Sequence, residues 1–303
     1  MTASGTRTVA RVLDDHVGDL RPLRAAYRRR AGAGDAVPVE RTGAPGWLLD
    51  AALDHRVAIL TGRPRLERAA VGAALLLPLA PGPVTRATLE STVASLLADH
   101  AARRRFATPG SLLPGEVERE LLSDCVALAL LAQPAGADAP TSCVLAGPAR
   151  AGLTRARLDA AVDPGAVREL TEMVVRVRDT LLRPLVGPAP DLRSEPDGLP
   201  RPSPLAPLDD PAVDAPGVGV HQLGRTLVWI TTDHRRRLPV APVRDLVARA
   251  LLHDDVDAVA VHGARRGVTV RVGLDRLCRS AGTHPQQARE AVRRAVESAG
   301  ERG

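Results

Sequence analysis

Apolar residues recur along this chain with two different periods, and the change falls near residue 218. Before it, Val9, Val12, Leu13, Leu20 and Leu23 follow three- and four-residue steps, which predicts a helix over 8–30 interrupted at Gly18 and Pro22. The same period predicts helices over 47–53, from Pro64 to Leu77, from a Thr85 cap to Arg105, and over 116–131, the last apolar almost all round. Thr154 and Asp163-Pro164 have the form of N-caps, for a short helix and for one that runs to about Leu182. Two short runs, Arg56–Leu60 and Ser142–Leu145, predict strands among these helices.

After residue 218 the pattern alternates. Arg225–Thr231 is dense in β-favouring residues, and Ala258–His262 and Val268–Val272 form a predicted hairpin around Gly263-Ala-Arg-Arg-Gly267. Val240–Leu252 is an amphipathic helix between them, and a last helix over 285–298 is opened by Thr283 and Gln286 at capping-box spacing. Between the two patterns, ten prolines fall from Pro184 to Pro216, a density that blocks helix and sheet ladders alike. The expected architecture is an α+β protein in three parts. They are a mainly helical domain over 1–183 with one or two short strands, a proline-rich linker over 184–218, and a small β-α-β-β-α domain over 219–303.

Composition changes this picture little. Aromatic residues make up 1% of the 303 residues and apolar residues 45%, so the cores must be built from Leu, Val and Ala. The chain has no lysine and no asparagine, a skew that points to a GC-rich coding sequence, so its net charge of +6 is carried by arginines that coding bias also favours. Cys125, Cys143 and Cys278 show no C-x-x-C pair, which predicts free thiols and no zinc motif. The N-terminal twenty residues lack the apolar region of a signal peptide, and Ala69–Ala80 is too short to span a bilayer; the expected location is cytoplasmic.

Four stretches invite a chemical reading. Val57–Ala69 (VAILTGRPRLERA) has the outline of a phosphate loop, but Glu67 stands where the second glycine belongs and Ala69 where the magnesium-binding hydroxyl belongs. Aspartate precedes histidine at Asp15-His16, Asp54-His55, Asp99-His100 and Asp233-His234, although neighbours in sequence point to different faces. His253, Asp254, Asp255 and Asp257 lack calcium-loop spacing. Arg235, Arg236 and Arg237, with Arg244 and Arg249 following, Arg265 and Arg266 on the hairpin and Arg289, Arg293 and Arg294 on the last helix, are candidate phosphate contacts. Within the linker, Arg201–Pro207 (RPSPLAP) matches a proline motif read by aromatic grooves, as proline-dense segments often do.

The C-terminal order, with GVTVRV and a G-x-x-P step from Gly282 to Pro285, resembles small bacterial α+β modules such as the alkaline-shock envelope-stress family. The resemblance covers under a third of the chain, the helical segment Leu274–Ala281 has no place in it, and no function follows from it. The expectation is a cytoplasmic protein-interaction, scaffold or adaptor protein without catalytic residues, cofactor or metal. The alternative is a nucleic-acid-binding regulator that uses the arginine-rich module, and the third reading is a degenerate nucleotide-binding protein.

Overall fold

The computed structural model describes residues 3–33, 36–37, 44–62, 66–136, 139–186, 219–233 and 237–300. Two helices open the chain, α1 (Ala3–His16) and α2 (Arg21–Gly32), parted by the break expected at Gly18. Then follow α3 (Gly46–Leu60), α4 (Glu67–Leu76), α5 (Pro83–Arg104) and α6 (Gly115–Ala132). The short helices α7 (Ala146–Arg150) and α8 (Arg155–Ala161) precede α9 (Pro164–Val177), which widens into a π turn at Arg178–Leu182 before α10 (Arg183–Val186). The remainder comprises β1 (Gly219–Leu223), β2 (Thr226–Thr231), α11 (Val240–Leu252), β3 (Ala258–Gly263), β4 (Val268–Gly273), α12 (Leu274–Arg279) and α13 (Pro285–Gly300).

The contacts divide these elements into two units. Among the described residues, a helical unit covers 37–179 with Gly219, and a sheet unit joins 3–36 and 180–186 to 220–300. The first thirty-six residues, read from sequence as the start of the helical domain, thus group with the C-terminal strands. Apart from its first residues, in α10, the proline-rich stretch and its RPSPLAP motif lie outside the described residues.

In the helical unit α6 is the central element, buried from Leu121 to Leu131 except at Ser123 and packed by α3, α4, α5 and α9. The α4–α6 crossing is close enough that a Cβ on Gly72 would stand 1.9 Å from the Leu131 carbonyl oxygen. Local signals fixed the helix starts where they were strongest: the Thr154 hydroxyl accepts from Arg157 N at 3.3 Å, and the Asp163 carboxylate from Gly165 N at 2.8 Å. Three expectations fail here. Arg56–Leu60 is the last part of α3, because a helix turn buried on every side shows no period and reads like a strand. Ser142–Leu145 spans the end of a 3-10 turn and the approach to α7. Thr85 lies inside α5, its hydroxyl donating to Gly82 O at 3.0 Å, and Pro83 opens the helix.

The sheet unit has strand order β1-β2-β3-β4. β2 and β3 run parallel, with Trp229 opposite Val261, and α11 makes the crossover; β3 and β4 run antiparallel around the predicted hairpin. β1 is not among the strands expected from the sequence, although Gly224 carries its signal: at φ 59° it fits the first central position of a two-residue hairpin turn with Arg225. α11 packs on β2 and β3, α13 on α11 and α1, and α2 on β4. The α13 cap differs from the expected Thr283–Gln286 box by one position. His284 Nδ1 accepts from Gln286 N and Gln287 Oε1 accepts from His284 N, each at 3.3 Å, while the Thr283 hydroxyl donates to His16 O and Cys278 O. No described helix is long and apolar enough to cross a membrane.

The end of α11 is closed by a side chain from α13. Arg289, 6% exposed, donates to Ala250 O at 3.2 Å, to Leu251 O at 3.4 Å, and to the carbonyls of His253 and Val256. A helix C-terminus carries partial negative charge and unpaired carbonyls, and one guanidinium satisfies both needs. Arg289→Met keeps the aliphatic stem and removes the donors. It is expected to destabilise the sheet unit by about 2–3 kcal/mol, the range for buried bonds to a charged group. Urea unfolding followed by Trp229 fluorescence reads the change, and a loss under about 0.5 kcal/mol would show that the carbonyls need no such partner.

Candidate functional site

The sheet unit contains an open cleft of about 380 Å³ between the end of α1, the start of α2 and the first two turns of α11. Its floor is aliphatic: Leu13 on α1, Val17 just after it and Val247 on α11 are buried there, and Val240 at its edge is 41% exposed. Its rim carries Arg21, Arg24 and Arg244 with Asp14 and Asp19. Such a volume, with an apolar base and a few polar groups, has the size of a ligand or side-chain site.

Three ties hold the walls of the cleft. Arg24 Nε donates to Leu238 O at 2.9 Å, joining α2 to the segment before α11. Arg244 on α11 pairs with Asp14 on α1. Gly18 N donates to Leu277 O at 2.9 Å, and the backbone there runs so near Ser280 that a Cβ on Gly18 would clash with its side chain at 1.7 Å. The start of α2 also places the positive end of a helix dipole at the cleft.

The arginines expected to contact phosphate are spread differently. Arg265 is 3% exposed and donates to Thr232 O at 2.8 Å, and Arg266 donates to Ala31 O at 2.8 Å, so both hairpin arginines are turned into the fold. Arg289 is the buried cap of α11, Arg293 pairs with Asp254 at 2.7 Å, and Arg249 pairs with Asp245 at 2.9 Å. Arg237 is exposed, and Arg235 and Arg236 lie outside the described residues. A guanidinium within a chain folds back on carbonyls as readily as it faces a phosphate, and residue type alone does not distinguish the two.

Of the other sequence candidates, His234 lies outside the described residues, and the following take structural roles. VAILTGRPRLERA runs from the end of α3 through a turn at Thr61-Gly62 into α4, with residues 63–65 outside the described set, so the strand that a phosphate loop follows is a helix. The acidic cluster is matched partner by partner: Asp254 with Arg293, Asp255 with Gln222 at 2.6 Å, and Asp257 with Arg225 at 2.8 Å. In the pair Asp99-His100 the carboxylate reaches Arg155 at 2.8 Å while the imidazole is buried. Burial first, then the charges of His55, Arg104, Arg103 and Arg56, lowers the His100 pKa to about 4. The three thiols are buried and free, and burial raises the pKa of each, which keeps them protonated and unreactive at neutral pH. Among the described residues no group of three His, Cys, Asp or Glu side chains is placed to hold a metal ion.

The core of the helical unit hides a charged pair that no local pattern singles out. Arg56, fully buried on α3, meets Glu118 on α6 through Nε and Nη2 at 2.7 and 2.8 Å, and Leu113 N donates to the same carboxylate at 2.8 Å. Further along α6, Asp124, 2% exposed, receives Arg103 at 2.6 Å and Arg155 at 3.3 Å. Burial raises its pKa to about 6 against the pull of those two guanidinium groups. Comparison with known proteins adds no identity: no family model, no curated protein and no solved structure matches the chain.

Proposed function

We propose that this is a protein-binding adaptor without catalytic residues and that the α1–α2–α11 cleft receives its partner. The cleft itself carries the reading, because it combines an aliphatic floor, an exposed Val240 and a rim of guanidinium groups on a frame held by three cross-ties. Preorganised walls lower the ordering cost of binding. The nucleic-acid alternative has less support, since Arg265, Arg266 and Arg289 are committed to backbone carbonyls. Three buried free thiols suit a reducing cytoplasm.

The test uses the full chain with a photo-crosslinking residue in place of Val240, compared with Val240→Arg. One protein crosslinked at position 240 and lost from affinity purification with Val240→Arg is the expected result. Identical capture by both proteins, with no crosslink, would remove the cleft from consideration.

A further inference from the structure

We infer that the cleft accepts a protein segment in which an aliphatic side chain lies beside a carboxylate, with the carboxylate seated on Arg24. The inference rests on the reading of the cleft as a partner site and adds the chemistry of the partner. Of the three guanidinium groups at the rim, two are already matched: Arg21 with Asp19 at 2.9 Å and Arg244 with Asp14. Arg24 is the remainder. Its one partner among the described residues is the carbonyl oxygen of Leu238, on Nε, and no described carboxylate meets it. A half-buried guanidinium bonded to a neutral acceptor keeps its full charge in a setting drier than water, and its planar fork suits a carboxylate. The first turn of α2, to which Arg24 belongs, adds the positive end of a helix dipole to the same place. Next to it, Leu13, Val17 and Val247 offer an aliphatic surface.

The Asp14–Arg244 pair then acts as a built-in competitor. Asp14 places a negative charge at the rim and occupies a guanidinium that an incoming acidic segment would otherwise use. Asparagine at position 14 keeps an oxygen that can accept from Arg244, so the tie is retained while the charge is lost, which favours the partner.

The experiment selects peptides from a display library of random twelve-residue sequences against the full chain and titrates the enriched peptide by fluorescence anisotropy. Enrichment of Asp or Glu next to Leu, Ile or Val is expected. Arg24→Gln should weaken the selected peptide by about tenfold or more, as the loss of a charge-assisted bond implies. Arg24→Lys, which keeps the charge but loses the fork, should bind with an affinity between those of Arg24→Gln and the unmodified chain, and Asp14→Asn should raise the affinity, a gain that misfolding does not produce. Added salt should weaken binding of the acidic peptide. Peptides selected without an acidic residue, or Arg24→Gln within twofold of the unmodified chain, overturn the inference while leaving the cleft as a partner site. Octanoate displacing the peptide at equal concentration also overturns it, in favour of a free fatty acid. If no selected peptide is blocked by Val240→Arg, the cleft reading falls as well.

Discussion

Glu118→Ala should cost the helical unit about 3–5 kcal/mol, the loss that follows when one partner of a buried ion pair is removed. Arg56 is fully buried and its Nη1 has no partner among the described residues, so the variant leaves a charge with neither solvent nor counter-ion. It also orphans Leu113 N, which now donates to the carboxylate at 2.8 Å. Whole domains of this size hold about 5–15 kcal/mol of net stability, so a large part of the margin is at stake. Trp47 in α3 reports on this unit once Trp229 is replaced by Phe, and the urea midpoint gives the change. The double variant Arg56→Met with Glu118→Leu should recover most of the loss, because a well-packed apolar pair tolerates burial better than a single charge. A single variant within about 1 kcal/mol of the unmodified chain would mean that water reaches Arg56.

Acid should weaken the sheet unit through His262. This residue on β3 is completely buried, and the Thr269 hydroxyl lies 2.9 Å from its Nδ1. That hydroxyl donates to Thr180 O at 3.3 Å and therefore accepts from Nδ1–H, leaving Nε2 a buried lone pair without a described partner. Burial lowers the His262 pKa from 6.5 to about 3. Between those values the unfolded chain binds a proton that the folded chain refuses, so stability is complete above pH 6.5 and falls as pH drops toward 3. One such group removes about 2 kcal/mol by pH 5, and the loss grows as the pH falls further toward 3. Urea titrations at pH 7.5 and 5, followed by Trp229 in a Trp47→Phe background, measure the slope. His262→Leu should flatten it, and an unchanged slope would assign the acid sensitivity to other groups.

The parts of the fold that were legible in the sequence are those fixed by nearby residues. Thr154 and Asp163 cap their helices as expected, α11 begins at Val240 and ends at Leu252, and Gly267 at φ 60° closes the β3–β4 hairpin. What escaped was decided by distant partners. Arg56 to Leu60 is buried on every side, so its helical period is invisible. Glu118 stands in the first turn of α6, where an acidic residue normally complements the helix dipole at the surface, yet it is 5% exposed and serves Arg56. The cleft joins residues near position 20 to residues near position 240, and the Arg24–Leu238 bond spans 214 positions, so no local window contains it. Arg265 and Arg289 counted as surface charge for the same reason: the carbonyls they satisfy are set by the tertiary fold.

The discontinuous sheet unit has a consequence for how the protein is made. Residues 37–179 leave the ribosome as one continuous stretch with a core of their own, so that unit can fold while synthesis proceeds. α1 and α2 are translated first but pack against α11, α13 and β4, and they must wait with Leu13, Val17 and Leu23 exposed until those elements emerge. A chain interrupted anywhere before α11 contains no cleft, since Val240, Arg244 and Val247 are missing.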